Sequence, residues 1–344
     1  MYSILDFDFE LPESLIANQP LKDRSASRMM VVNRTAAQFR DGFFAELPDL
    51  LSPDDLLVVN NTQVFPARLL GRTDTGARVE IFLVNEEPDG TWTGLARPAR
   101  RLREGKRLDF GPELVGEVVE RLDDGKVRVK FFCDGDIFQA IEKVGRTPLP
   151  PYIKRDADGI DSDRERYQTI YARHRGAIAA PTAGLHFTPE VLGKLRERNI
   201  EIAEVTLHVG YGTFEPVRAE DLRSHRVSAE RYVISDSAAK SLNAARNEGR
   251  RIIAVGTTTT RTLEYSIAAH GKFVAGSGEA DLTILPGFEF KAINGLLTNF
   301  HLPKSSLLVL VSAFAGRELI INAYRHAVDS AYRFYSYGDC MLIT

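Results

Sequence analysis

Four of the seven histidines lie in short segments where a strand is expected to give way to a turn. Histidine exchanges protons near neutral pH more readily than other side chains, so these residues could act as general acids or bases. A lone histidine is more often a packed, hydrogen-bonded residue, but four in the same setting indicate a shared site. Because ligands of parallel α/β sheets bind at the carboxyl ends of the strands, we expect one pocket lined by His186, His208, His225 and His301.

The segment AVGTTTTR, residues 254–261, predicts a buried strand that runs into a helix. Gly256 permits a tight turn, and the first amides of a helix have no partner and lie at its positive end. With hydroxyl donors from Thr257, Thr258 and Thr259, the segment could bind a carboxylate or a phosphate. A threonine cap with a purely structural role explains the same residues equally well.

The segment AAPTAGLHF, residues 179–187, is a second place where a ligand could approach closely. Pro181 and Gly184 predict a turn, which would project Thr182 and His186 from a run of small residues. Small residues beside a turn leave room for a ligand next to the backbone. This segment therefore joins the threonine-rich one as a predicted binding element.

Two further segments carry weaker signals. RPARRLREGKR, residues 97–107, has five arginines and one lysine against one glutamate and could bind a phosphate backbone. A solvated loop is the usual explanation for so short a charged stretch. Near the carboxyl terminus, Tyr335 and Tyr337, with Asp339 beside them, could stack on a purine, although a packed aromatic strand is the more common arrangement.

Bulk composition limits the class of protein. The 344 residues and the 44% hydrophobic content are ordinary for a globular chain with room for two domains. The formal charge of −3 argues mildly against nucleic acid as a partner, unless the basic residues gather on one face. Neither a signal peptide nor a membrane-spanning segment is predicted. With only Cys133 and Cys340, we expect no disulfide framework or zinc site and a cytoplasmic location.

The motifs of several common enzyme classes are missing from the sequence. No GxxxxGK[ST] segment occurs, which argues against P-loop chemistry, and no glycine-rich dinucleotide fingerprint follows a predicted strand. No pair of histidines has the short spacing of metal ligands, so a metal site is less favoured than general acid–base work. The candidate residues are therefore more consistent with acid–base work than with metal chemistry.

The pattern of predicted elements divides the chain into two kinds of structure. Residues 62–148 contain short alternating segments separated by DG, DDG and EGK turns, which predict antiparallel hairpins. After the proline-rich segment TPLPPY, strands alternate with helices, and Arg333–Thr344 is expected to be a closing strand. We therefore predict an α/β core with a mixed, largely parallel sheet (residues 1–61 and 149–344) and an inserted small all-β barrel domain (residues 62–148).

Taken together, the long motifs of this chain identify a family. LPPYI, YQTIYA, GAIAAPTAGLHFT, TLHVGYGTFEPV, AVGTTTTRTLE, LLTNFHLPKSSLLVLVSAFAG and YRFYSYGDCMLI resemble the S-adenosylmethionine:tRNA ribosyltransferase-isomerases of queuosine biosynthesis. The opening DFDFELPESLIA and VVNNTQVFPARL resemble them too. The likeness covers essentially the whole chain in the same order. One departure is visible in HRVSAE, where Ser228 stands at the position that is commonly a histidine.

The resemblance implies an unusual reaction. S-adenosylmethionine would donate its ribosyl group to the 7-aminomethyl-7-deazaguanine wobble base of tRNA, and adenine and methionine would be released. The product would be epoxyqueuosine-tRNA, and no metal is expected. The family also pairs an α/β core with a β-barrel module. The implied partner is tRNA that carries this precursor in its anticodon loop, and we expect a monomer.

With this reaction in view, the candidate residues take specific roles. A base must remove a proton next to the sulfonium, and the candidates are His186, His208, His301 and Glu230. Donor binding is assigned to Thr182, Gly184, Gly256, Thr257, Thr258, Thr259 and Arg261, the last because a guanidinium can pair with a carboxylate at two points. RNA binding is assigned to Arg97, Arg100, Arg101 and Arg103. An RNA methyltransferase and a non-catalytic RNA-binding module remain the alternatives.

Overall fold

The structure is a computed structural model that describes residues 3–123, 125–150, 152–153, 155, 162–210 and 221–344. Its strands are β1 (Met29–Asn33), β2 (Gln38–Arg40), β3 (Leu56–Asn60), β4 (Thr62–Val64), β5 (Arg68–Thr73), β6 (Arg78–Glu86), β7 (Trp92–Arg97), β8 (Arg107–Asp109), β9 (Val115–Arg121), β10 (Lys126–Phe132), β11 (His174–Ala177), β12 (Glu201–Leu207), β13 (Glu230–Ile234), β14 (Ile252–Val255), β15 (Gly276–Ala280), β16 (Gly295–Asn299) and β17 (Cys340–Ile343). The α-helices are α1 (Leu47–Leu50), α2 (Ile137–Val144), α3 (Ser162–Arg166), α4 (Pro189–Glu197), α5 (Asp236–Asn247), α6 (Thr257–His270), α7 (Ser306–Ala315) and α8 (Arg317–Asp329).

The core of the protein is a nine-stranded mixed sheet in the order β15-β13-β12-β3-β14-β16-β17-β1-β2. Its middle strands β12, β3, β14 and β16 pair in parallel, and antiparallel pairs lie on both sides of them. In β3, Leu56 and Val58 join one hydrophobic cluster while Leu57 and Val59 join another. Successive side chains of a strand point to opposite faces, so both faces of the middle of the sheet are covered.

Parallel pairing decides where the loops gather. Because β12, β3, β14 and β16 run in the same direction, their carboxyl ends lie at one edge of the sheet. The residues that follow these strands include His208, Asn61, Gly256 and Phe300. This edge is where ligands of open α/β sheets usually bind.

The second unit is a closed six-stranded barrel in the order β10-β7-β6-β5-β8-β9, with antiparallel pairs throughout. It has its own hydrophobic cluster, built on residues such as Ile81, Trp92 and Val129. The predicted fold class is thereby confirmed: an α/β core carries a small all-β barrel. The barrel strands lie inside the predicted boundaries of residues 62–148, and these boundaries stay a prediction.

The expectation of a strand over Arg333–Thr344 is wrong for its first half. Strand β17 begins only at Cys340. The preceding residues form a turn because the carboxylate of buried Asp339 accepts hydrogen bonds from the amides of Arg28 (3.0 Å) and Arg333 (2.8 Å). Tyr335, in this turn, has a φ of 75°, a left-handed conformation that a β-strand does not allow.

Two structural findings bear on membranes and metals. Among the described residues, no single helix is long and apolar enough to cross a bilayer, and only α7 and α8 together reach that length and composition, with a bend of 119° between them. The same residues contain no group of three or more histidine, cysteine, aspartate or glutamate side chains placed to hold a metal ion.

Candidate active site

A cavity opens at the edge of the sheet where the parallel strands end. We call it the helix-start cavity, because the first turn of α6 forms part of its wall. Segments that are far apart in the sequence line it, from the loop before β11 to the turn before β17. Its lining residues are Tyr167, Ala179, Ala180, Pro181, Thr182, Ala183, Val209, Gly256, Thr257, Thr258, Thr298, Asn299, His301, Leu307, Tyr335 and Ser336.

The first turn of α6 presents backbone donors to this cavity. Gly256, with a φ of 93°, caps the helix and has no side chain to accept a hydrogen bond. The first amide of the helix that finds a partner is that of Thr260, which donates to the Gly256 carbonyl at 3.1 Å. Within the described part of the chain, the amides of Thr257, Thr258 and Thr259 are therefore left without partners at the positive end of the helix.

The threonine hydroxyls differ in what they can do. Thr259 donates its hydroxyl to the carbonyl of Val255 at 2.7 Å, and Thr260 donates to Gly256, so both serve the helix itself. Thr257 and Thr258 line the cavity, as does Thr182 from the opposite wall. The structural interpretation thus applies to Thr259 and Thr260, and the ligand-binding role of Thr257 and Thr258 stays a prediction.

His301 is the only one of the four selected histidines that lines the helix-start cavity. It follows β16 and is buried, and its Nε2 lies 3.0 Å from the hydroxyl of Thr298. The backbone amide of His301 donates to the Tyr324 hydroxyl at 3.1 Å, which fixes the turn. Burial lowers the pKa of His301 to about 3, so its imidazole is neutral at physiological pH.

His186 lies behind the same wall and is connected to it through Asn299. Its Nε2 is 3.1 Å from Oδ1 of Asn299, and its Nδ1 is 2.7 Å from the Ser27 hydroxyl. Asn299 in turn donates to the carbonyls of Tyr335 (2.8 Å) and Ser336 (3.2 Å). Because the amide oxygen of Asn299 only accepts, Nε2 is the protonated nitrogen and Nδ1 accepts from the serine. Burial lowers the pKa of His186 to about 4, which agrees with a neutral ring.

A larger cleft, of about 260 Å³, lies between the barrel and the core. We call it the interdomain cleft. The barrel supplies Val84, Asn85 and Lys126, and the core supplies the rest. The core lining residues are Gly210, Leu222, His225, Val227, Ser228, Ala229, Glu230, Arg261, Leu282, Thr283, Ile284, Leu285, Ser306, Leu307, Val309 and Leu310.

A buried ion pair forms the floor of the interdomain cleft. Nη1 of Arg261 is 2.8 Å from Oε2 of Glu230, with side chains only 9% and 4% exposed. Arg261 also donates to the carbonyls of Leu282, Ser228 and Ala280 at 3.2 Å each. Four of the five N–H groups of a guanidinium are therefore engaged within the protein.

Comparison with known proteins assigns the chain to a family. The family model described as queuosine biosynthesis protein matches residues 4–343. The S-adenosylmethionine:tRNA ribosyltransferase-isomerase of Syntrophotalea carbinolica is 53% identical over 340 residues, 98% of each chain. The enzyme of the same name from Geobacter sulfurreducens is 50% identical over 343 residues, 99% of each chain. The chain belongs to the queuosine biosynthesis family. It is therefore a transferase-isomerase by family.

A solved structure agrees with this assignment. The S-adenosylmethionine tRNA ribosyltransferase of Thermotoga maritima is 37% identical, with a TM-score of 0.57. The match covers 98% of this chain and all of that one. The resemblance seen in the sequence motifs is thus confirmed. In this family member, TLHVGYGTFEPV is described only as far as Gly210, and the rest of that motif lies outside the described residues.

The four histidines do not share one pocket, contrary to our expectation. His225 lines the interdomain cleft, and His208 lines a separate cleft beside Arg173 and His174. Val209, the next residue, lines the helix-start cavity, whereas His208 does not. Nδ1 of His208 is 2.8 Å from the hydroxyl of Thr62, and burial lowers its pKa. The sequence pattern predicted that these histidines lie near strand ends, but it did not predict which pocket each side chain would line.

Two predicted donor-binding residues have internal partners instead. A Cβ atom on Gly184 would overlap the Tyr171 hydroxyl, so the packing here requires a glycine. Gly184 is also not among the residues that line the helix-start cavity. Arg261 is held by Glu230, which was itself a candidate base. The roles of Gly184 and Arg261 in donor binding stay predictions. The ion pair between Arg261 and Glu230 leaves little of the charge of either side chain available to a ligand.

Tyr167 is a cavity residue that the sequence did not reveal. It is fully buried and lines the helix-start cavity. Its hydroxyl lies near the Ser336 side chain and the Ala180 backbone but makes no geometrically complete hydrogen bond among the described residues. Burial raises the pKa of this hydroxyl, so it stays protonated. Of the two tyrosines predicted to stack on a base, Tyr335 lines the cavity, whereas Tyr337 packs edge-on against Tyr167 with the ring centres 5.9 Å apart. No motif in YQTIYA distinguishes Tyr167 from a packed aromatic residue.

The predicted RNA-binding arginines lie together on the barrel surface. Arg97 ends β7, and Arg100 and Arg101 lie in the short 3-10 helix Ala99–Arg101. With Arg103, all four are exposed. Because the chain carries a net negative charge, nucleic acid would have to bind where basic residues are concentrated. These four arginines form such a concentration on the barrel.

We predict that the free energy of unfolding falls as the pH is lowered from 6.5. Burial lowers the pKa of His186 to about 4 and that of His301 to about 3, against an ordinary value of 6.5. Over this range the unfolded chain binds protons that the folded chain does not, so acid favours unfolding. Each histidine contributes a slope of at most about 1.4 kcal/mol per pH unit.

Urea unfolding at about pH 7 and about pH 5 measures this slope. His301→Gln should reduce it, because the variant has no ring to protonate on unfolding. The control His270→Gln changes an exposed histidine and should leave the slope as in the parent protein. An equal slope in the parent and in His301→Gln would contradict the prediction.

Proposed function

We propose that this protein transfers and isomerises the ribosyl group of S-adenosylmethionine onto the 7-aminomethyl-7-deazaguanine wobble base of tRNA. Epoxyqueuosine-tRNA, adenine and methionine are the products. The observation that carries the proposal is the helix-start cavity, where a neutral imidazole meets α6 amides and a tyrosine hydroxyl that have no hydrogen-bond partner among the described residues. Family membership supports the same reaction.

The amino-acid end of the donor fits the first turn of α6. A carboxylate would accept hydrogen bonds from the amides of Thr257 and Thr258 at the positive end of the helix. The hydroxyl of Tyr167, protonated at neutral pH, offers a further donor in the same cavity. Arg261 would not supply the second point of binding that its sequence position suggested, because Glu230 and three carbonyls already use it.

His301 is our choice for the base that removes the proton beside the sulfonium. It is neutral, and among the described residues Nδ1 has no hydrogen-bond partner. Burial makes a new charge costly in this cavity, which argues against a base that must create one. Proton transfer from a cationic donor to a neutral imidazole moves a positive charge and creates none. The low pKa of His301 is therefore compatible with this role.

His186 acts in this proposal through other residues. Both of its nitrogens are hydrogen-bonded, to Ser27 and Asn299, so neither is available to a substrate. Through Asn299 it fixes the carbonyls of Tyr335 and Ser336, which belong to the cavity wall. We assign it the positioning of that wall. His208 and Glu230 keep their predicted catalytic roles as less favoured alternatives.

An assay for products tests the proposed reaction directly. The protein is incubated with S-adenosylmethionine and tRNA that carries the aminomethyl-deazaguanine precursor, and the small molecules are separated. Adenine and methionine should form in equal amounts and only when the precursor tRNA is present. S-adenosylhomocysteine in their place would indicate the alternative RNA methyltransferase, and no product at all would indicate a binding module. The predicted cytoplasmic location and monomeric state stay predictions.

A proline at the start of α6 tests the carboxylate site. Thr257→Pro removes one amide donor, yet proline is well tolerated at the first position of a helix. We expect the Kd for S-adenosylmethionine to rise about tenfold or more, as for a lost hydrogen bond to a charged group. The matched control Thr257→Ala keeps the amide and removes only the hydroxyl, so calorimetric titration of both variants isolates the backbone donor. Equal affinity of the two variants would refute the amide contact.

Charge reversal on the barrel tests the RNA contact. Replacing Arg97, Arg100, Arg101 and Arg103 by glutamate should weaken tRNA binding, because released counterions drive such contacts. The slope of log K against log salt should fall by up to about 3 for four single-strand phosphate contacts. Reversal of Lys194 and Arg196, which are exposed on α4, is the control and should have little effect. Unchanged affinity and slope in the barrel variant would exclude this surface.

A further inference from the structure

The interdomain cleft is a second enclosed site that the reaction centre in the helix-start cavity does not use. Both units of the protein build it: Val84, Asn85 and Lys126 come from the barrel, and the Glu230–Arg261 pair comes from the core. Both side chains of the ion pair are at least nine-tenths buried, so their removal from water costs substantial free energy.

The barrel strand that borders the cleft is locally irregular there. In the pairing of β6 with β7, Leu83 faces Gly94 and Asn85 faces Thr93, which leaves Val84 as an extra residue. Such a bulge twists a strand and redirects its side chains, and it is common beside functional sites. The bulged residue Val84 and its neighbour Asn85 are the two residues of β6 that line the cleft.

The chemistry of the cleft suits a flat heterocycle. Its wall is apolar where α7 and the loop after β15 contribute Leu310, Leu282 and Ile284. Polar groups lie among them, including the Glu230–Arg261 pair and Lys126. One further nitrogen, Nε2 of His225, is buried and has no hydrogen-bond partner among the described residues. A volume of about 260 Å³ is at the small end of ligand sites and is sufficient for a single purine-like base.

The cleft is also adjacent to the helix-start cavity. Leu307, in the first turn of α7, lines both of them. The consecutive residues Val209 and Gly210 line one each. A ligand in the cleft would therefore be separated from a ligand in the cavity by little more than one side chain.

The barrel arginines are connected to the same wall of the cleft. The amide of Ala96, next to Arg97, donates to the carbonyl of Gly125 at 3.0 Å. Gly125 immediately precedes Lys126, which lines the cleft. A nucleic-acid strand held on the arginines would pass close to the opening on the Lys126 side.

We propose that the interdomain cleft receives the acceptor base of the tRNA, splayed out of the anticodon loop and enclosed between the barrel and the core. This proposal rests on the proposed function, since it places the acceptor beside the donor. A purine-like heterocycle could also come from the adenine of S-adenosylmethionine. The arginine-bearing barrel wall favours the RNA base, because the base and its phosphates would then contact the same unit of the protein.

Filling the cleft is the first test. Ser228→Trp places a large side chain at an exposed residue of the lining, and it keeps the Ser228 carbonyl that Arg261 binds. The probes are the precursor tRNA and the same tRNA with an abasic wobble position, and binding is measured without turnover. The parent protein should bind the base-bearing tRNA about tenfold more tightly, the gain expected when an apolar surface of about the size of one side chain is buried. Ser228→Trp should abolish this difference and leave the Kd for S-adenosylmethionine unchanged.

Lys126→Ala is the second test, with Lys130→Ala as its matched control. Both lysines belong to β10, but only Lys126 lines the cleft. We expect Lys126→Ala to reduce the preference for the base-bearing tRNA, and Lys130→Ala to retain it. Thermal melting of each variant confirms that it is folded.

Three outcomes would overturn the proposal. Equal binding of the two tRNAs by the parent protein would mean that the base is not held. An undiminished preference in Ser228→Trp would place the base elsewhere. Weakened binding of S-adenosylmethionine by Ser228→Trp, with tRNA binding intact, would assign the cleft to adenine. Because none of these measurements needs turnover, failure of the product assay would refute the proposed function without deciding the cleft.

Discussion

The parallel pairing of β12, β3, β14 and β16 is the constraint on which the site depends. It brings the carboxyl ends of four strands to one edge of the sheet. Beyond this edge the backbone no longer pairs with a neighbouring strand, so its N–H and C=O groups need other partners. Most of these needs are met within the protein: Asn60, at the end of β3, binds the backbone of Leu207 and Thr62. At the start of α6 the described residues supply no such partners, because Gly256 has no capping side chain. The helix-start cavity lies next to these backbone groups at the start of α6.

Burial determines the chemistry of the imidazoles near that cavity. His186 and His301 are surrounded by protein, and removal from water disfavours the imidazolium form. Their neutral rings can take part in hydrogen bonds that need one donor and one acceptor, as in the Ser27–His186–Asn299 chain. The same neutrality agrees with the proposed binding of a cationic sulfonium donor, since a charged imidazole would repel it. Low pKa values are therefore consistent with function here.

The Glu230–Arg261 pair connects the two sites. Arg261 belongs to α6, the helix whose first turn lines the cavity, while its side chain forms part of the interdomain cleft. It fixes the loop before β13 through the carbonyl of Ser228 and fixes β15 through that of Ala280. Removal of either partner would leave a buried charge without compensation, which commonly costs about 3–5 kcal/mol. The pair is thus a structural requirement for both walls, whatever else Glu230 does. Ser228 contributes to this wall through its backbone, which a serine or a histidine can do equally well.

The sequence by itself determined the fold class, the barrel insertion, the family and the segments that reach the site. These follow from local information: alternation of polar and apolar residues, turn residues at fixed offsets, and long motifs. It also located Thr182, Gly256, Thr257, Thr258 and His301, all of which line one cavity. Only the tertiary structure decided which side of each strand end a residue faces, which separates His208 from His301. It also decided which polar groups are already paired, as in Arg261 with Glu230, and it placed the Tyr167 hydroxyl in the wall of the helix-start cavity. The physical reason is that the partner of a polar group, and the side to which a side chain points, depend on residues distant in the chain. No local sequence pattern encodes these contacts.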